Sequence, residues 1–165
     1  VNCFPRSVYT TRPSCQATSS VYCAIVSKYM KKILITGGAG FIGYHLSKRL
    51  AKEGYRITIA DNFFRSRNDA DLATLIALPH VSLIETDLTK SEAWDSIGTG
   101  YDEVYHLVGI NGTKYFYEIP HEVLRIGVST TMNVLEWFRS KNNKPGAKIL
   151  HFKQRGIRER SRGLW

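Results

Sequence analysis

The sequence predicts an α/β fold: an open sheet of parallel strands, doubly wound, with helices on both faces. Three observations predict it. Apolar runs of strand length alternate with segments of helical periodicity from residue 31 to about residue 150. The first run, Ile33-Leu34-Ile35, is apolar at every position, as expected of a strand covered on both faces. A glycine-rich turn, Thr36-Gly37-Gly38-Ala39-Gly40-Phe41-Ile42-Gly43, joins that strand directly to the first helical segment.

The elements follow in order. Residues 31–36 read as strand one. Residues 40–53 show helical spacing at Ile42, Leu46 and Leu50 and stop at Gly54. Residues 55–60 and 81–85 are the second and third strands. Between them, 69–78 is a short helix ended by Pro79. Residues 90–97 predict a further helix and 103–108 a fourth strand. Residues 121–140 form a long amphipathic helix with Leu124, Val128, Leu135 and Phe138 on one face, and 147–150 begin a fifth strand. Ligands in such sheets bind where the strand order reverses, so the expected order is 3-2-1-4-5 with the glycine turn at the carboxyl end of the central strand.

Composition divides the chain. The formal charge is +9, but residues 1–30 carry three basic side chains and no acid, and residues 151–165 carry five against Glu159. The middle 120 residues hold 15 basic and 13 acidic side chains, so basicity belongs to the ends and does not mark the folded part as a nucleic-acid binder. Cys3, Cys15 and Cys23 all precede the first strand, at spacings that fit no common zinc site. No apolar run approaches the ~20 residues of a membrane span, and a soluble, cytoplasmic protein is expected. Residues 1–29, rich in Ser, Thr and Arg, read as a disordered leader of targeting type or as translated sequence upstream of Met30; a chain that begins with Val1 favours the second.

The glycine turn carries the chemistry. Gly37 permits the tight turn, Gly40 lets backbone approach a pyrophosphate, and Gly43 lets the helix lie close to the sheet. Helix-terminal N–H groups and the helix dipole then face the phosphates. A glycine-rich turn without a ligand is the plain alternative, and Asp61 argues against it. It lies 18 residues after Gly43, directly after the second strand, where a carboxylate accepts hydrogen bonds from an adenosine ribose. The same charge opposes a 2′-phosphate and favours NAD over NADP, with Arg65 and Arg67 near enough in sequence to work against it. This is a Rossmann-type arrangement.

TGGAGFIG, Ala60-Asp61-Asn62, Thr86-Asp87-Leu88 and Tyr105-His106-Leu107-Val108-Gly109, in this order, resemble the extended short-chain dehydrogenase/reductase family. Within it the chain is similar to the NAD-dependent epimerases and dehydratases of nucleotide sugars, over about residues 30–150. The resemblance implies that Phe41 and Ile42 offer backbone N–H groups to the pyrophosphate. It places Asp61 and Asn62 at the adenosine ribose, Asp87 and Leu88 at the adenine, and Leu107, Val108 and Gly109 at the nicotinamide-side ribose. Asp87 also suits a helix N-cap, and both roles are compatible. The family usually reads HLAA where this chain has His106-Leu107-Val108-Gly109. It commonly has Asn at Gly127, before Thr131, Asn133 and Glu136 resume its pattern; the glycine bears on a polar contact near the active site.

Family chemistry also implies a Tyr, a Lys four residues later, and a Ser or Thr after the fifth strand, the tyrosinate taking a sugar proton while hydride passes to NAD. The only Tyr-x-x-x-Lys here is Tyr44 to Lys48, on the phosphate-binding helix, and reads as coincidence. No catalytic residue is therefore assigned. His45, His106 and His121 read as surface or strand histidines, and no metal site is expected. After Leu150 the chain turns basic. One choice of codons for residues 151–158, CAC TTC AAG CAG CGA GGC ATA CGC, gives Thr-Ser-Ser-Ser-Glu-Ala-Tyr when read one base later, which resembles the family's own segment. Residues 151–165 thus read as a shifted frame that truncates the domain after about the fifth strand, or else as a genuine basic C-terminus. The expected parent function is epimerisation, dehydration or reduction of a nucleotide sugar through bound NAD, with this chain inactive and a homodimer an option for the full-length parent. The alternatives are a non-catalytic NAD-sensing or scaffold protein and, less favoured, a basic nucleic-acid-binding protein.

Overall fold

The computed structural model describes residues 31–66, 69–110 and 112–151. The leader, the basic tail beyond His151 and Arg67 lie outside the described residues. The elements are β1 (Lys32–Thr36), α1 (Phe41–Lys52), β2 (Arg56–Asp61), α2 (Ala70–Ile76), β3 (Val81–Glu85), a 3-10 turn (Glu92–Asp95), β4 (Glu103–His106), α3 (Thr113–Glu118), α4 (Pro120–Ser140) and β5 (Lys148–His151). The five strands form one sheet in the order β3-β2-β1-β4-β5. Every neighbouring pair is parallel. The expected order 3-2-1-4-5 is the observed one.

Strand alternation divides the core between the two faces of the sheet. Ile33 and Ile35 of β1 join Ile57, Ile59, Leu72, Leu75 and Val81 on the face covered by α1 and α2. Leu34, between them in sequence, points the other way into Ala60, Trp94, Ile97, Tyr101, Val104, Val134 and Trp137. Asn142 closes the second face: its Oδ1 accepts from the Tyr101 N–H at 2.8 Å, and its Nδ2 donates to the Tyr101 carbonyl at 3.1 Å. Asp69 caps α2 by accepting from the Leu72 N–H at 2.9 Å.

Three sequence expectations need correction, and one helix is additional to them. The spacing of Ile42, Leu46 and Leu50 does mark helix α1, but these residues are not its most buried ones, although Leu46 and Leu50 pack against the core. Its buried residues are Gly43, Ser47 and Ala51, with Ile42 56% exposed and the two leucines half-buried at the flanks. The helix starts so close to β1 that only small side chains fit beneath it. In α4 the expected apolar face is largely the outer one: Leu124, Val128 and Leu135 are exposed and Phe138 is half-buried. The sheet side carries Val123, Thr130, Val134 and Trp137, so the helix has two apolar stripes. Residues 90–97 hold only the 3-10 turn, because the Asp87 turn and the buried Trp94 compress the segment. Helix α3 was not expected at all; it is a short helix with no buried residue, and so carries no periodic apolar signal.

Candidate functional site

The glycine turn lies at the carboxyl end of β1, between β2 and β4, where the order of the strands reverses. Gly37 takes φ +71° and its N–H donates to the Ala60 carbonyl at 2.7 Å. A Cβ there would stand 3.0 Å from the Leu107 carbonyl and the Val108 nitrogen, so only glycine lets the turn touch the exit of β4. At Gly43 a Cβ would lie 2.4 Å from the Gly37 oxygen and 2.5 Å from Gly38 Cα. Gly40 is the N-cap of α1 and supplies no side-chain cap, and the first turn has no acidic residue. The leading N–H groups of the helix are thus left to a ligand, and the positive end of its dipole faces outward. Phe41, 82% exposed, and Ile42 hold their side chains away from the turn's packed side.

Asp61 ends β2 and is 8% exposed. Its Oδ2 accepts from the Ala39 N–H of the glycine turn at 3.0 Å, and its Oδ1 accepts from the Phe63 N–H at 2.9 Å and the Ser66 hydroxyl at 3.0 Å. Phe63, at φ +54°, is the only non-glycine residue with positive φ among the described residues, and it sits in this loop. Asn62 spends its Oδ1 on the Phe64 N–H at 3.1 Å, forming a local turn. The guanidinium of Arg65 lies over the Tyr115 ring of α3, 5.3 Å from its centroid.

The third strand delivers Asp87. Thr86 N–H donates to the Asp61 carbonyl at 3.0 Å, drawing this loop against the second strand's end. Asp87 Oδ1 accepts from the Thr89 N–H at 3.1 Å and hydroxyl at 2.8 Å. It caps this turn rather than a helix, since the N-cap of the 3-10 segment is Ser91. The Leu88 side chain is buried in the core, which leaves its backbone as the part able to face a ligand. Leu107 extends β4 by donating its N–H to the Thr36 carbonyl at 3.0 Å, and Val108 and Gly109 follow at the same rim. The structure therefore brings Gly37, Gly40, Phe41, Ile42, Gly43, Asp61, Asn62, Asp87, Leu88, Leu107, Val108 and Gly109 to the carboxyl ends of four adjacent strands.

Sequence reasoning missed two contributors. Ser66 holds the Asp61 carboxylate, a hydroxyl five residues on that has no motif to mark it. Asn133, noted only as part of a pattern, donates from α4 to the loop after β3. At Gly127 nothing lies within 4 Å of where a Cβ would stand, so that position is open space.

The remaining titratable groups separate from the site. Lys48 Nζ donates to the Tyr44 hydroxyl at 3.0 Å on the exposed side of α1, and that bond raises the lysine pKa. His45 is exposed, in edge contact with Phe41 and Tyr44. His106 is buried: its Nδ1 lies 2.8 Å from the Thr36 hydroxyl, and its ring stacks on His151 with centroids 5.3 Å apart. Desolvation, with His151 as a second cause, pushes its pKa down to about 4. No group of three or more His, Cys, Asp or Glu able to hold a metal ion exists among the described residues.

The sequence profile of the NAD dependent epimerase/dehydratase family matches residues 33–153. The chain belongs to this family. It is 34% identical over 108 residues to a UDP-N-acetyl-alpha-D-glucosaminuronate decarboxylase of Bacillus cytotoxicus, covering 64% of this chain and 32% of that protein. It is 32% identical over 108 residues to UDP-glucuronic acid decarboxylase 1 of Danio rerio, covering 66% and 24%. Among solved structures, a UDP-galactose 4-epimerase superposes with TM-score 0.57 at 31% identity, over 67% of this chain and 35% of that one. The chain spans about a quarter to a third of the length of these curated relatives. Its five-stranded parallel sheet is the Rossmann-type part of the epimerase/dehydratase fold. No helix among the described residues is long and apolar enough to cross a membrane.

Proposed function

We propose that residues 31–150 bind NAD, as the cofactor part of an enzyme acting on a nucleotide sugar. The observation that carries the reading is the Asp61 carboxylate, set at the end of β2 and tied to the Ala39 N–H of the glycine turn. One group thereby fixes the pyrophosphate cradle and faces the place where the adenosine ribose would lie. The residues fit the cofactor: Gly40 leaves the approach to α1 open, the first-turn N–H groups have no side-chain cap, and Asp87 and Leu88 close the adenine end. When bound, NAD would supply hydride transfer to and from a sugar carbon. This chain's residues hold and orient it. Asp61 accepts from a ribose diol and repels a 2′-phosphate, so NAD is preferred to NADP, and Arg65, held over Tyr115, is turned to another partner.

The relatives' printed activities, decarboxylation and epimerisation of UDP sugars, support a UDP-sugar or similar substrate for the full-length parent. Tyr44 and Lys48, the one Tyr-x-x-x-Lys of the sequence, are bonded to each other on the exposed side of α1, and we read this chain as inactive. A homodimer of the parent is supported by the outer apolar stripe of α4, Leu124, Val128, Met132 and Leu135.

The test is calorimetric titration of NAD and NADP into the wild type, Asp61→Ala and Asp61→Asn. The expected result is that the wild type prefers NAD and that Asp61→Ala loses about 1–3 kcal/mol of NAD affinity together with the preference. Equal binding of NADP and NAD by the wild type would refute the assignment.

A further inference from the structure

The loop after β3 is held from behind by two side chains, one near in sequence and one remote. Trp94 Nε1 donates to the Leu88 carbonyl at 3.1 Å. Asn133, on α4, donates from Nδ2 to the same carbonyl at 3.1 Å and to the Thr89 carbonyl at 2.9 Å. The helix does not need this amide for docking, because Val134 and Trp137 already bury its inner side and Leu88 anchors the loop in the same core. The asparagine must therefore serve the loop's orientation rather than its attachment.

A rigid chain of links shows how. The Leu88 carbonyl and the Thr89 N–H belong to one planar peptide unit. Fixing the first fixes the direction of the second, and the Thr89 N–H donates to Asp87 Oδ1 at 3.1 Å. We propose that Asn133 is a positioning residue for the adenine end of the cofactor site, aiming Asp87 and the Leu88 backbone through the peptide plane between Leu88 and Thr89. This rests on the reading of Asp87 and Leu88 as the adenine-facing pair. It also makes the adenine end answer to α4, the same helix that carries the outer apolar stripe.

The experiment uses the full 165-residue chain and two halves of the cofactor, AMP and nicotinamide mononucleotide, titrated by NMR into the wild type, Asn133→Leu and Asn133→Gln. Leucine keeps the volume and removes both donors; glutamine keeps the amide on a longer stem and guards against a leucine variant that does not fold. The expected result is an AMP affinity lowered about tenfold in Asn133→Leu and less in Asn133→Gln. Nicotinamide mononucleotide binding stays unchanged, and hydrogen exchange at the Thr89 amide quickens. AMP binding equal to wild type, or loss of both ligands by the same factor, would overturn the proposal. A wild type that binds nicotinamide mononucleotide but no AMP would instead overturn the adenine reading on which it rests.

Discussion

Lowering the pH from 7 to 5 should destabilise this domain by about 2 kcal/mol through His106 alone. The side chain is 1% exposed, with Nδ1 on the Thr36 hydroxyl and Nε2 buried without a partner. If Nδ1–H donates to Thr36, Nε2 carries a bare lone pair, which the core tolerates; a proton there would be an unpaired charged donor facing His151. The folded pKa is therefore down to about 4 against 6.5 for the free side chain. Below 6.5 the unfolded chain takes up a proton that the folded chain refuses, so stability falls with falling pH until about pH 4 and is flat above about pH 7. The window between pH 7 and 5 isolates the histidine, since Asp102, Glu103 and Glu122 have lowered pKa values and release their stabilisation only at more acid pH. The assay is urea unfolding of wild type and His106→Gln at pH 7, 6 and 5. The stability gap between them should narrow by about 2 kcal/mol across that range. Parallel loss in both proteins, or an imidazole that titrates near 6.5 in the folded state by NMR, would refute the reasoning.

Two further predictions test the site. Gly43→Ala places a Cβ 2.4 Å from the Gly37 oxygen and 2.5 Å from Gly38 Cα. It should destabilise by about 1–3 kcal/mol in urea and abolish NAD binding. Gly40→Ala sets a Cβ 3.3 Å from the Gly37 backbone oxygen at the N-cap of α1, so it should cost less stability than Gly43→Ala yet bind NAD more weakly; calorimetry that finds wild-type binding would show that no ligand approaches there.

Periodicity made the sheet legible, because a parallel sheet covered on both faces needs continuous apolar runs, and Ile33, Leu34 and Ile35 satisfy that with either face inward. The glycine turn and Asp61 were legible because their spacing is dictated by one strand–turn–helix–strand unit. Which face of a helix turns inward was not. In α1 the decision lies at Gly43, where a Cβ would stand 2.4 Å from the Gly37 oxygen, so the close packing favours small residues over the more apolar Ile42 and Leu46. In α4 two apolar stripes compete, and the tilted contact of Trp137 with Trp94 selects the inner one. Ser66 and Asn133 stayed hidden for a different reason: each acts by a hydrogen bond to a group whose position only the fold determines.

The Trp94–Trp137 pair has an optical consequence. Its ring centroids lie 5.3 Å apart at an interplanar angle of 42°, close enough for the two indole transitions to couple, so the pair is expected to contribute to the circular dichroism of the folded domain. Trp94 is also bonded through its N–H to the Leu88 carbonyl, so a shift of the loop after β3 perturbs one member of the pair directly. The domain thus carries a built-in chromophore at the back of the adenine loop, and loop order can be followed in unlabelled protein.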